Sequence, residues 1–270
     1  MQWDLNQVPY HDIDIQAVHS REDLFYLVAG ASFIEIAADL YTDNLIQYFN
    51  DQPEIMAWLE EHWKFEETRH GYVLRDYSKH VWPDFDWDRA YQAFFNDYSL
   101  QCTQDALEPT RCLEMAARCV VETGTATFYQ ALSELANEPV LARMAGLIRA
   151  DEINHYKHFY QYFRLYREMD PTGRIKVFRA IGRRVLEARN SDAETALWHV
   201  YRVHRNITND SDKSEFREMC ARFRQQFRQY YPLGMATKML LRPLDLPKAV
   251  TRVVEGPLVK MAERVMGGKQ

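Results

Sequence analysis

Residues Glu67-Thr-Arg-His70 and Glu152-Ile-Asn-His155 share one pattern, a glutamate followed three positions later by a histidine. Each quartet falls in a long helical stretch, and the helical stretch before each one carries a glutamate on its apolar stripe, Glu35 or Glu122. One glutamate from each of two helices, with Glu-x-x-His from each of two others, is the ligand set of a carboxylate-bridged dinuclear metal site in a four-helix bundle. Because such a centre usually holds two irons and activates dioxygen, the sequence predicts an oxidative enzyme.

Apolar residues recur at three- and four-residue spacing along the chain, which predicts helices throughout. The four helices that carry the quartets and the lone glutamates are predicted at about 20–49, 53–79, 109–137 and 139–169. Three more are predicted at about 174–189, 192–208 and 213–231. Prolines after residue 232 leave room only for short helices there.

No segment shows a convincing strand pattern, so the predicted fold class is all-α. Residues 1–170 would form the four-helix bundle with its metal site. Residues 171–270 would add further helices and an amphipathic tail, packed on the same domain.

The spacing within each quartet explains why these residues suit a metal. Residues three apart on a helix lie on one face, so Glu67 with His70, and Glu152 with His155, can each offer two donor atoms to one ion. Carboxylate oxygen and imidazole nitrogen suit iron or manganese, and four carboxylates balance two divalent ions. A single Glu-x-x-His arises by chance about once in a helical chain of this length. The prediction depends on the two quartets and two glutamates occurring together.

Charge is unevenly distributed along the chain. The net charge of the 270 residues is −6, yet residues 171–242 contain 15 Lys and Arg against 7 Asp and Glu. A basic region on an acidic protein indicates an anionic partner or a solvated helical face. The four cysteines show no disulfide spacing, and neither a secretory signal nor an uninterrupted apolar run of membrane-spanning length is apparent. A cytoplasmic protein is expected.

The motifs resemble those of one enzyme family. Residues 66–71, Glu-Glu-Thr-Arg-His-Gly, closely match the Glu-Glu-Asn-Arg-His-Gly motif of soluble acyl-carrier-protein desaturases. Residues 151–155, Asp-Glu-Ile-Asn-His, are similar to the family's Asp-Glu-Lys-Arg-His, with Ile153-Asn154 replacing Lys-Arg. The resemblance covers about residues 20–170 and implies a ferritin-like di-iron bundle that desaturates fatty acyl chains in lipid metabolism.

The resemblance also implies roles for individual residues. The metal ligands would be Glu35, Glu67, His70, Glu122, Glu152 and His155. Thr125 matches a threonine that faces the oxygen-binding side of the centre, although a threonine there can equally bond back to its own helix. Glu66 and Asp151 match acids that orient the ligating imidazoles.

The same family resemblance implies partners. Members of that family are homodimers that receive electrons from ferredoxin. This chain lacks the sequence fingerprint of a dinucleotide-binding site, so a bound dinucleotide is not expected to supply the electrons. The substrate would be an acyl chain on the acidic acyl carrier protein, with dioxygen as oxidant. The basic region would be the docking site, at Arg174, Lys176, Arg179, Arg183, Arg184, Arg222, Arg224 and Arg228.

Three other functions remain open from the sequence. The same metal ligands could serve a hydroxylase or N-oxygenase of a small molecule. They could also serve a non-catalytic, ferritin-type iron-binding protein. Nucleic-acid binding is disfavoured by the acidic overall balance and by the absence of a recognised motif.

Overall fold

The computed structural model describes residues 3–188, 192–208 and 213–267. Helices dominate these residues, and no strand occurs among them, which confirms the predicted all-α class. The chain forms two compact units. Unit 1 comprises residues 1–107, 136–144 and 189–224, and unit 2 comprises residues 108–135, 145–188 and 225–270.

Unit 1 is built around two long helices that pack on each other. Its helices α1 to α6 are Ile15–Val18, Glu22–Ile36, Ala38–Tyr48, Pro53–Trp58, Lys64–Val81 and Trp87–Ser99. Later in the chain it adds α10, Asp192–His204, and most of α11, Ser214–Phe227. Helix α2 packs along α5 and also against α10, which in turn packs on α6. This packing buries an aromatic core that includes Phe33, Tyr77 and Phe94.

The first two predicted helices are each interrupted in the structure. The helix predicted at 20–49 ends at Ile36 and restarts at Ala38, with Ala37 at a backbone ψ of −2°. The helix predicted at 53–79 contains a five-residue π-helical stretch, Leu59–Trp63, between α4 and α5. Both irregularities lie within a few residues of a predicted metal ligand. Apolar periodicity reports which face of a helix is buried, and it does not detect such local changes of winding.

Unit 2 contains most of α7, Arg111–Ala136, and of α8, Pro139–Met169. Both helices have the bounds that the sequence predicts to within about two residues. Unit 2 also contains α9, Arg174–Ala188, α12, Leu233–Leu241, and α13, Lys248–Gly267. The expectation of only short helices after residue 232 is wrong for α13, which has 20 residues and contains Pro257. The helix continues through Pro257 with the loss of one backbone hydrogen bond, because proline has no backbone N–H.

One segment of the described chain, Glu22–Tyr48, has the length and mean hydropathy of a membrane span. The sequence criterion missed it because that criterion required an uninterrupted apolar run, whereas this segment contains Glu35. Its most apolar window is 61% buried within the protein. A buried core helix can have the same length and mean hydropathy as a membrane span.

Candidate metal centre

The first predicted ligand group lies in unit 1, on α2 and α5. Glu35, Glu67 and His70 are all buried. Each offers a ligand atom that lies within 4.8 Å of one from each of the other two. The Glu35 Oε2 and His70 Nδ1 atoms are 3.9 Å apart. We call these three residues triad 1.

Gly71 allows the two helices of triad 1 to approach closely. A Cβ atom at Gly71 would lie 2.4 Å from Cγ1 and 2.7 Å from the backbone nitrogen of Ile36. Both distances are shorter than real Cβ contacts allow, so only glycine fits. Because Gly71 follows His70 and Ile36 follows Glu35, this contact brings the two ligands together across the helix pair.

Trp3 covers the imidazole of triad 1. Its indole ring stacks on His70 with 6.1 Å between centroids and 7° between planes. The guanidinium of Arg69 lies 4.5 Å from the Trp3 ring centroid, and Glu66 approaches Arg69 at 3.6 Å. Trp3 is itself buried. The sequence analysis did not identify Trp3, because the segment before α1 carries no helical periodicity that would place it.

The π-helical stretch lies directly before triad 1 on the chain. The backbone N–H of Lys64 donates to the carbonyl of Leu59, which is the five-residue spacing of a π-turn. Each such turn inserts an extra residue and rotates the helix that follows relative to the helix before it. Here the following helix is α5, which carries Glu67 and His70. Single π-turns are frequent at functional sites of helical proteins.

The second predicted ligand group lies in unit 2, on α7 and α8. Glu122, Glu152 and His155 are buried, and each offers a ligand atom within 4.8 Å of one from each of the others. His155 Nδ1 lies 3.6 Å from Glu122 Oε2 and 3.8 Å from Glu152 Oε2. We call these residues triad 2. It repeats the composition of triad 1, with one glutamate from the first helix and a Glu-x-x-His pair from the second.

Thr125 contacts triad 2 directly. Its hydroxyl donates to Glu152 Oε2 at 2.6 Å, while the backbone carbonyls of Val121 and Glu122 lie farther away, at 3.4 and 3.3 Å. A hydroxyl has one proton to donate, and the shortest distance assigns it to the carboxylate. The backbone interaction that the sequence analysis kept open is therefore the weaker of the two.

Burial dominates the electrostatics of triad 2. It raises the pKa of Glu122 to about 8, against an ordinary value of 4.5. His155 lowers this pKa and the Glu152 carboxylate raises it, both by smaller amounts. Glu122 therefore holds a proton near neutral pH until a cation compensates its charge.

The donor set fits a metal ion. Two triads of buried carboxylates and an imidazole each bring three ligand atoms close together. These are hard oxygen and borderline nitrogen donors, the combination that iron, manganese and zinc accept. Burying carboxylates costs several kcal/mol unless a proton or a cation compensates them. The structure therefore contains Glu/His clusters that could bind metal ions.

Other predicted site residues lie outside the triads. Asp151 is half-buried beside Glu152 in sequence, and the carboxylate of Glu66 lies near the guanidinium of Arg69. The roles of these two acids in orienting imidazoles stay predictions.

The predicted docking residues do not form one exposed set. Arg184 is buried and lies 3.4 Å from Glu187, so it cannot belong to a surface dock. Arg174 donates to the carbonyls of Leu244 and Asp245. Arg183 pairs with Glu108. The remaining members divide between exposed or half-buried positions in the two units: Lys176, Arg179, Arg222, Arg224 and Arg228.

Comparison of the chain with protein-family models and with curated proteins finds no match. The geometry of the two triads therefore carries the functional argument.

Proposed function

We propose that triad 1 and triad 2 together hold two iron ions, as the dinuclear centre of an oxygen-dependent oxidase that desaturates an acyl chain. The observation that carries this proposal is the equivalence of the triads. Each consists of a lone glutamate and a Glu-x-x-His pair, all buried, with ligand atoms within 4.8 Å. Each triad would supply one ion with two carboxylates and one imidazole, as the ligand set of di-iron bundles does. Manganese accepts the same donors and is the alternative metal.

Charge supports two divalent ions rather than one. The two triads contain four carboxylates, which balance the +4 of two divalent cations. With a single divalent ion, two of the four buried carboxylates would have to take up protons or remain charged in a low-dielectric interior, and a buried charge is costly. Burial also raises the pKa of Glu122, which has the same physical cause.

The residues of the chain would perform the binding and positioning. Bound iron would supply the reductive activation of dioxygen, with electrons from a separate protein such as ferredoxin. Glu35, Glu122, Glu67 and Glu152 would hold the ions through oxygen. Thr125 fixes one carboxylate oxygen of Glu152 through its 2.6 Å hydrogen bond. Burial of all six ligands excludes bulk water from the reacting atoms.

The resemblance to acyl-carrier-protein desaturases suggests the substrate and partners. We propose a cytoplasmic homodimer that acts on an acyl chain carried by acyl carrier protein. Among the predicted docking residues, Arg222 and Arg224 on α11 are exposed and suit an acidic carrier. Arg222 lies 3.7 Å from Glu22, a surface pair that an acidic partner could replace.

Product analysis tests this function. Iron-loaded protein would be incubated with dioxygen, a reduced ferredoxin system and a long-chain acyl carrier protein, and the acyl product analysed by mass spectrometry. Loss of two hydrogens is expected. A gain of one oxygen would instead identify a hydroxylase that uses the same metals.

A matched pair of variants shows whether the chemistry depends on the centre. Glu152→Gln removes one proposed metal-binding carboxylate, whereas Glu134→Gln removes an exposed one from α7. Activity should be lost in the first variant and retained in the second. Absence of product from iron-loaded native protein would overturn the proposed oxidase on this substrate.

A further inference from the structure

Large apolar side chains are exposed mainly on unit 2. Among the described residues, eleven large hydrophobic side chains are exposed, and nine of them belong to unit 2. The two in unit 1 are Phe65 and Leu100. Those in unit 2 are Leu165, Met169, Ile175, Phe178, Leu186, Tyr230, Val250, Val253 and Met261. Single exposed apolar residues are ordinary, whereas several on one face of one helix indicate an interaction surface.

Helix α9 carries an apolar stripe on each of two faces. Val177, Ala180 and Ile181 are buried and form the inner face of the helix. On the other side, Ile175 and Phe178 are exposed by 69% and 62% and Leu186 by 60%. With about 100° per residue, these three side chains fall within an arc of about 80°. A helix on the surface of a soluble protein normally presents polar residues on its outer face.

Cationic side chains flank the outer stripe of α9. The helix contains five Lys and Arg against one acid, Glu187. Lys176 and Arg179 are exposed, and no ion pair holds either of them within the part of the chain that the structure describes. We call Ile175, Lys176, Phe178, Arg179 and Leu186 the α9 outer face.

The two units also differ in net charge. Unit 2 contains 19 Lys and Arg against 12 Asp and Glu, a net charge of +7. Unit 1 contains 14 against 27, a net charge of −13. The exposed apolar stripe therefore lies on the cationic unit of an acidic protein. A second copy of the same cationic helix would be repelled, whereas an anionic surface would be attracted.

We propose that the α9 outer face binds the surface of an anionic lipid bilayer. A helix that lies in the membrane interface carries Lys and Arg beside large apolar residues, which enter the boundary between headgroups and acyl chains. Phe178, Ile175 and Leu186 would enter that boundary, and Lys176 and Arg179 would contact lipid phosphates. A bilayer accepts separated, protruding apolar side chains without a complementary groove.

The C-terminal helix adds a second segment of the same character to unit 2. In α13, Val250 and Val253 are exposed, and Lys248 and Arg252 lie among them in sequence. A second such segment would strengthen binding, because the membrane affinity of amphipathic helices rises with the buried apolar area and with electrostatic attraction to anionic lipids. The inference rests on these surface residues and does not depend on the proposed metals.

Vesicle sedimentation of the full-length protein tests the proposal. Binding to phosphatidylcholine vesicles containing phosphatidylglycerol is expected to exceed binding to pure phosphatidylcholine at least about tenfold, and to fall as salt rises. Ile175→Ser with Phe178→Ser, and separately Lys176→Glu with Arg179→Glu, should each weaken partitioning about tenfold or more. Phe65→Ser with Leu100→Ser removes two exposed apolar side chains from unit 1 and should leave partitioning unchanged.

Several results would overturn the proposal. One is equal binding to anionic and neutral vesicles. Another is a loss of partitioning in the unit 1 control that matches the loss in the α9 variants. A third is binding of an acidic soluble protein through the α9 outer face with no vesicle binding. A fourth is a change of oligomeric state in the α9 variants with vesicle binding unaltered, which would assign this face to a second copy of the chain.

Discussion

The hydroxyl of Thr125 donates a 2.6 Å hydrogen bond to the carboxylate of Glu152. This bond joins α7 to α8 at a predicted metal ligand. Thr125 also lies one turn after Glu122 on α7, so it is placed beside both glutamates of triad 2. The bond fixes the position of one oxygen of Glu152.

Removing this hydroxyl should weaken metal binding. Thr125→Val keeps the side-chain shape and deletes the donor, so Glu152 loses its orientation. Metal affinity should fall about tenfold, the effect typical of groups that orient ligands. Isothermal titration calorimetry of the metal-free protein with ferrous iron under argon measures this affinity.

Two further variants act as controls for the threonine. Thr125→Ser retains a hydroxyl and should restore most of the affinity. Thr123→Val removes a buried hydroxyl that donates to the Cys119 backbone carbonyl, and it should leave metal affinity unchanged. Equal affinity in Thr125→Val and the native protein would show that the hydrogen bond does not orient the ligand.

Gly71→Ala should separate the helices of triad 1. The added Cβ would meet Ile36 at 2.4 Å, so α5 must move away from α2. The cost of such overpacking is about 1–3 kcal/mol of unfolding free energy, together with a loss of metal affinity. Urea unfolding and metal titration provide the two measurements.

Gly146→Ala is the matched control for Gly71. Gly146 lies within α8, and a Cβ there would meet nothing within 4 Å. Alanine in an open helical position should stabilise the protein by about 0.5–1 kcal/mol. If Gly71→Ala and Gly146→Ala had the same effect on unfolding free energy and metal affinity, close approach of α2 and α5 would not explain why residue 71 is glycine.

The metal-free protein should lose stability as pH rises. The pKa of Glu122 is raised by burial to about 8 from an ordinary 4.5. The folded state therefore holds this proton more tightly than the unfolded state. Its contribution to stability is complete below about pH 4.5 and is lost as pH rises through about 8. Urea unfolding at several pH values across that window would reveal the decline.

Glu122→Gln tests the origin of that decline. Glutamine is neutral at every pH, so the part of the slope due to Glu122 should disappear. Glu134→Gln, at an exposed position on the same helix, should retain the slope. If the unfolding free energy of Glu122→Gln declined with pH as steeply as that of the native protein, the proton would belong to another group. Added metal should stabilise the native protein more at the higher pH, because metal binding displaces the proton.

Trp3 should matter for triad 1 although it lies far from it in sequence. Trp3→Ala removes a buried ring that stacks on His70, and we expect a loss of about 3–5 kcal/mol of unfolding free energy. Metal should also dissociate faster, because the imidazole loses its cover. Trp3→Phe keeps a stacked ring and should recover most of both properties. If metal dissociated from the Trp3→Ala variant at the same rate as from the native protein, the stacked indole ring would have no role in retaining the metal.

Sequence periodicity predicted much of the fold because long helices bury a continuous apolar stripe. Helices α7 and α8 have their expected bounds, and every predicted ligand falls in a buried triad. The quartets were recognisable because both ligands of each pair lie within one helical turn. The spacing of residues along the sequence was therefore sufficient to predict the two Glu-x-x-His ligand pairs.

Features that depend on tertiary packing were not predictable in this way. The break at Ala37 and the π-helical stretch Leu59–Trp63 change the winding of helices without changing their apolar pattern. Trp3 reaches His70 through a contact 67 positions away in sequence. The burial of Arg184 was not predictable, because charge counts do not distinguish a buried arginine from an exposed one.

The metal content of the loaded protein tests the central claim most directly. Native protein, loaded anaerobically with ferrous iron and passed through a desalting column, should retain about two irons per chain by elemental analysis. The double variant His70→Ala with His155→Ala should retain far less, whereas a variant of the exposed His11 should match the native protein. Retention of two irons by the double variant, or of almost none by the native protein, would contradict a dinuclear centre built from the two triads.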